Sequence, residues 1–116
     1  MYDALASFIR EAVRLREYSE VRWAAERYRL LFPTNPVVEV CSAIAHVASG
    51  EDDTSCSIID ELQRHGCDWK EITSLLSDVL GNQFQPREPT ATAVLDAVVD
   101  AVRPERGRTF HPMHGN

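Results

Sequence analysis

Cys41, His46, Cys56, His65 and Cys67 are the residues of this 116-residue chain whose types suit metal or thiol chemistry. A zinc site needs converging thiolates and imidazoles, usually with closely spaced ligand pairs. No Cys-x-x-Cys pair occurs, and Cys41 and His46 stand five residues apart, a spacing that turns away on a helix. The pattern suits thiols packed in a helical interior, with Cys67, beside Gly66, placed for partial exposure. Glu51-Asp52-Asp53 lacks the ligand spacing of a calcium loop and reads as a solvated turn and helix cap. The run His111-Pro112-Met113-His114 could collect a soft metal adventitiously, but it reads as a polar tail. No Gly-x-x-x-x-Gly-Lys phosphate loop, Gly-x-Ser-x-Gly elbow or His-Glu-x-x-His pair appears. The residues therefore point away from catalysis and from a resident metal or cofactor, and toward recognition. Trp23 fits that role. It falls off the apolar stripe of its helix, beside Arg22 and near Arg27, as aromatic anchors at interfaces do. Its other reading is a side chain packed over a neighbouring helix.

The elements that position these residues are helices. Leu5, Phe8, Ile9, Ala12, Val13 and Leu15 recur at helical spacing, which predicts a first helix over about 2–15. Ser19 is the expected cap of a second helix, with Val21, Ala24, Ala25, Tyr28 and Leu31 on one stripe and Pro33 ending it. Asn35 and Pro36 suit the cap and first position of a third helix over 36–48, closed by Gly50. Asp52, Asp53 and Thr54 offer caps for a fourth over 54–65, closed by Gly66. Asp68 with Glu71 opens a fifth over 69–80, closed by Gly81. Residues 82–90 carry two prolines and read as a linker. Val94, Leu95, Val98, Val99 and Val102 then mark a C-terminal helix over 91–103, before a tail over 104–116.

Composition bounds the class. At 44% hydrophobic and 26% charged residues, the chain reads as a soluble folded domain, with no apolar run long enough for membrane insertion. The N-terminus shows no basic leader before an apolar block, and three cysteines suit reduced thiols, so a cytoplasmic setting is expected. The net charge of −6 is uneven. Residues 1–33 carry six Arg against five acids, whereas residues 34–83 carry Arg64 and Lys70 against nine acids. Such an acidic middle repels phosphate backbones, so nucleic acid is not the expected partner.

Residues 2–35 and 36–69 are both 34 residues long, and each reads as helix, short turn, helix. In the first unit the residues at the repeat positions are Phe8, Ala12, Tyr18, Val21, Ala25, Tyr28 and Pro33, with Ala12, Ala25 and Tyr28 departing in size. In the second, Ala43 and Ser55 are small where helices must approach, and Ser42, His46 and Cys67 depart; in a third, Leu76, Ser77 and Leu80 match. This period and pattern resemble the tetratricopeptide repeat. The resemblance covers 1–81. It implies an all-α fold of stacked antiparallel helical hairpins, a solenoid of five to six helices, with 91–103 as a capping helix. A five- or six-helix bundle is the alternative.

Solenoids of that family bind peptides along a concave face lined by the first helix of each unit. Carried onto this sequence, that face comprises Asp3, Ala6, Arg10, Val13 and Arg14, then Val37, Val40, Ile44, Val47 and Ala48, then Glu71, Ser74 and Asp78. The groove is apolar in the middle, basic on one wall and acidic on the other, and suits an amphipathic helix. Alternatively, Val37, Val40 and Ile44 pack against the chain's own last helix. By length, repeat number and groove, the chain resembles the cytoplasmic chaperones of bacterial type III secretion needle subunits. Those clasp an amphipathic helix of the secreted subunit, often with a small helical co-chaperone. A scaffold or adaptor that self-associates, as a homodimer through its convex face or last helix, is the second reading. A small enzyme or metal protein built on the cysteines is the third.

Overall fold

The computed structural model describes residues 2–81, 84, 86, 88 and 90–103, without the side chains of Tyr2 and Asp3. The expected tail over 104–116 and five of the nine linker residues lie outside the described residues. The described chain is all-helical. It runs α1 (Tyr2–Arg14), α2 (Tyr18–Leu31), α3 (Pro36–Ala48), α4 (Asp52–Arg64), α5 (Trp69–Leu80) and α6 (Ala91–Val102). None of these helices is long and apolar enough to cross a membrane.

The joints follow from local chemistry. Asn35 caps α3, its side chain accepting from the amides of Val37 at 2.9 Å and Val38 at 3.3 Å, with Pro36 first in the helix. Asp68 accepts from the Glu71 amide at 2.8 Å, and Thr90 from the Ala93 amide at 3.1 Å. Two expected caps are different. Ser19 lies inside α2, and α4 begins at Asp52 with no side-chain cap. The cause lies in the preceding turns. Arg16 takes a left-handed φ of 61°, and the Glu17 amide donates to the Ala12 carbonyl at 2.8 Å. Gly50 does the same at φ 81°, with the Glu51 amide donating to the His46 carbonyl at 2.7 Å. Each turn closes one helix in the Schellman manner and leads straight into the next. The two turns stand 34 residues apart, as do the starts of α2 at Tyr18 and α4 at Asp52. The first two hairpins thus share a 34-residue offset in the backbone.

Packing centres on α3, which touches α1, α2, α4, α5 and α6. Its residues Val38, Val40, Cys41, Ala43, Ile44, Ala45 and Val47 are buried nearly all round the helix. A helix apolar on every side must be covered on every side. Ser55 is fully buried where α4 crosses α3, and its hydroxyl donates to the Ala43 carbonyl at 2.9 Å. The small pair at 43 and 55 lets the helices approach, as their sizes indicate. In addition, α5 reaches back to α1. That contact makes the molecule more closed than an array whose repeats touch only their neighbours.

Candidate protein-binding surfaces

Among the residues expected to line a concave groove, the Asp3 side chain lies outside the description and Ala6 is half-buried on the core; the rest divide into three groups. Val40, Ile44 and Val47 are 1%, 0% and 0% exposed, Ala48 is buried too, and Val37 is half-buried against the core. They hold the centre of the molecule, so the expected open groove does not run over α3. The reason is the closure just described: α1, α5 and α6 all pack on α3. Arg10 is spent within the chain. Its Nε donates to the Val79 carbonyl at 3.1 Å and its Nη2 to the Asp78 carbonyl. A guanidinium there satisfies free carbonyls of the last turn of α5 and opposes the negative end of its dipole. Val13 is half-buried on the core, and Arg14 is exposed and paired with Glu11 one turn away. Glu71, Ser74 and Asp78 are exposed on α5. Trp23 is 58% exposed, with the Arg27 guanidinium 5.1 Å from its ring centre. Trp69, by contrast, is half-buried against the core at the start of α5.

α6 lies across both α3 and α4, beside α5, while α1 and α2 pack on α3. Val94, Val98 and Val102 are buried in one stripe, flanked by half-buried Leu95 and Val99. Its C-terminal end is held by polar contacts. The Arg103 guanidinium donates from Nη2 to both carboxylate oxygens of Asp52, at 2.7 and 2.8 Å, in a setting only 17% and 28% exposed. The Tyr18 hydroxyl donates to the Val102 carbonyl at 2.9 Å. Phe84, a lone aromatic in the linker, is also buried. These contacts join residues 51 and 84 positions apart, and no local pattern signals them. The exposed pair Leu30 and Leu31 also escaped the periodicity: Leu31 was expected on the core stripe of α2 and is 70% exposed. Phe8 and Leu15 likewise flank the α1 stripe instead of belonging to it.

The candidate chemical groups are quiet. Burial pushes the Cys41 thiol up to about 12. Cys56 and Cys67 are raised as well, by burial first and then by neighbouring carboxylates. All three stay protonated at neutral pH, the opposite of a nucleophilic thiol. Among the described residues no three His, Cys, Asp or Glu side chains converge on a metal position. A cleft of about 640 Å³ opens beside the α2–α3 joint, with Pro33, Pro36, Ile58, Leu62, His65 and Cys67 in its wall. Its carboxylates have arginines nearby, Arg29 at 3.3 Å from Glu39, a contact without a hydrogen bond, and Arg64 at 3.7 Å from Glu61. No protein-family model, curated protein or solved structure matches the chain.

Proposed function

We propose that this protein is a tetratricopeptide-like chaperone or adaptor that sequesters an amphipathic helix of a partner, with α6 filling that place until the partner arrives. The observation that carries the reading is α6 itself. It is a valine-striped helix joined to α5 by a linker with Pro86 and Pro89, and it lies on α3 and α4 with its end latched to Asp52. A surface that accepts one such helix has the shape and apolar character to accept another of similar stripe. The 34-residue recurrence of the hairpin turns supports the repeat reading. The client is a helix with branched apolar residues at i, i+4 and i+8, and sequestration hides the stripe through which it would self-assemble. A secreted subunit held in the cytoplasm, as in type III secretion, is the setting that the sequence resemblance implies.

The test follows from competition. A fluorescent peptide spanning 91–102 of this chain serves as the probe helix. It should bind the Arg103→Glu variant at least about tenfold tighter than the wild type, because a weakened latch raises the binding-competent fraction. A scrambled peptide of equal composition should bind neither. Equal binding of the peptide to both proteins, or none to either, refutes the reading.

A further inference from the structure

The large apolar side chains that are well exposed among the described residues all belong to one hairpin. Phe8 (42%) and Leu15 (49%) belong to α1 and its turn; Trp23 (58%), Leu30 (84%) and Leu31 (70%) belong to α2. Their order along α2 matters. Phe8 lines an open hollow with residues 16–20, so it lies at the N-terminal end of α2. Trp23 lies near the middle and Leu30 and Leu31 at the C-terminal end. Trp23 and Leu30 fall on one line of α2, with Leu31 beside it and Phe8 and Leu15 on the adjoining α1 and turn, and such a concentration of exposed apolar side chains on one hairpin marks a contact surface.

The charges beside the stripe identify the partner. At 100° per residue, Glu20 and Arg27 run along one flank of the Trp23–Leu30 line, and Arg22 and Glu26 along the other. Two helices packed antiparallel about a two-fold axis bring each flank against the same flank of the copy. With the axis beside Trp23, Glu20 meets Arg27 of the copy, Arg22 meets Glu26 of the copy, and the two Trp23 rings adjoin. Every flanking pair is then of opposite sign. Arg22 pairs with Glu26 of its own helix at 2.9 Å and with Glu51 before α4 at 3.1 Å, so its flank is partly answered within the chain and the Glu20–Arg27 flank carries the pairing. The same symmetry lays the Leu30–Leu31 end of one α2 over the Phe8–Leu15 end of the other.

We infer that the outer face of the α1–α2 hairpin is a self-complementary surface that pairs two copies of this chain, α2 antiparallel to α2. The surface belongs to other helices than the α3–α4 seat of α6, so the inference stands apart from the helix-holding function.

Sedimentation equilibrium of the full chain should show a two-chain mass that dissociates on dilution. Trp23→Ala should raise the dissociation constant at least about tenfold, as expected for a central aromatic anchor. Arg27→Glu should weaken pairing similarly by setting two acids against each other. The double variant Glu20→Arg/Arg27→Glu should recover to within about threefold of the wild type. Both charged sites are exposed, and circular dichroism checks that each variant is folded. A wild-type chain that stays monomeric up to about 100 µM overturns the inference, whatever else binds the face. A dimer indifferent to Trp23→Ala, or a charge swap that fails to recover, overturns it as well.

Discussion

The thiol of Cys41 has no exposed surface, and its pKa rises from 9.0 to about 12 because burial penalises the thiolate. The unfolded chain ionises this group near 9, while the folded chain holds its proton to about 12. Between those values the folded state binds one proton more, so stability falls as pH rises, by about 1.4 kcal/mol per unit from this group. Below pH 9 the group contributes no slope. Urea midpoints measured at pH 8.5 and about pH 10.5 should therefore diverge less in Cys41→Val than in the wild type. Equal divergence would show that the thiol ionises alike in both states. At this scale much was legible. The thiol pattern pointed to a packed interior, which holds for Cys41, whereas Cys56 and Cys67 are only half-buried. The exposure of Phe8, Leu15 and Leu31 was not legible, because the period marks an apolar face without saying how wide a strip the neighbours cover.

At the scale of the element, capping chemistry separates two residues of similar promise. Asn35 holds two amides of α3, so Asn35→Ala should cost about 1 kcal/mol. Ser19 lies within α2 and makes no cap, so Ser19→Ala should change stability by less than about 0.5 kcal/mol. Thermal unfolding of the two variants distinguishes them directly. The sequence favoured Ser19 because serine before an apolar period is a common helix start. The left-handed turn at Arg16 overrode it, since the chain leaves α1 already aimed into α2. That turn carries no glycine, and nothing in its neighbours marks it. Its counterpart at Gly50 was legible for the opposite reason: glycine adopts a positive φ without a Cβ clash.

At the scale of the molecule, the Arg103–Asp52 pair fastens the last helix to the fourth. Arg103→Ala should loosen α6 before the rest. Its amides should exchange with solvent about tenfold faster while those of α3, enclosed on all sides, keep their protection. Uniform acceleration throughout the chain would mean that α6 opens only with global unfolding. The same closure relocates the predicted groove residues. Val40, Ile44 and Val47 have the character of a binding stripe, yet they are buried in the core, on a helix that all five others touch.

Local patterns along the chain were enough to specify the six helices, most of their ends and the 34-residue spacing of the first two hairpins. Each of these rests on forces that act within a turn or two: apolar period, side-chain caps, proline and glycine. Which faces are covered is a matter of long-range packing. That outcome rests on contacts such as Arg10 to Val79, Asp52 to Arg103 and Tyr18 to Val102, whose partners lie 69, 51 and 84 residues apart. An apolar stripe is attracted to any apolar stripe. Which one it meets is settled by how all six helices fit around α3 at once, and no short window of residues contains that information.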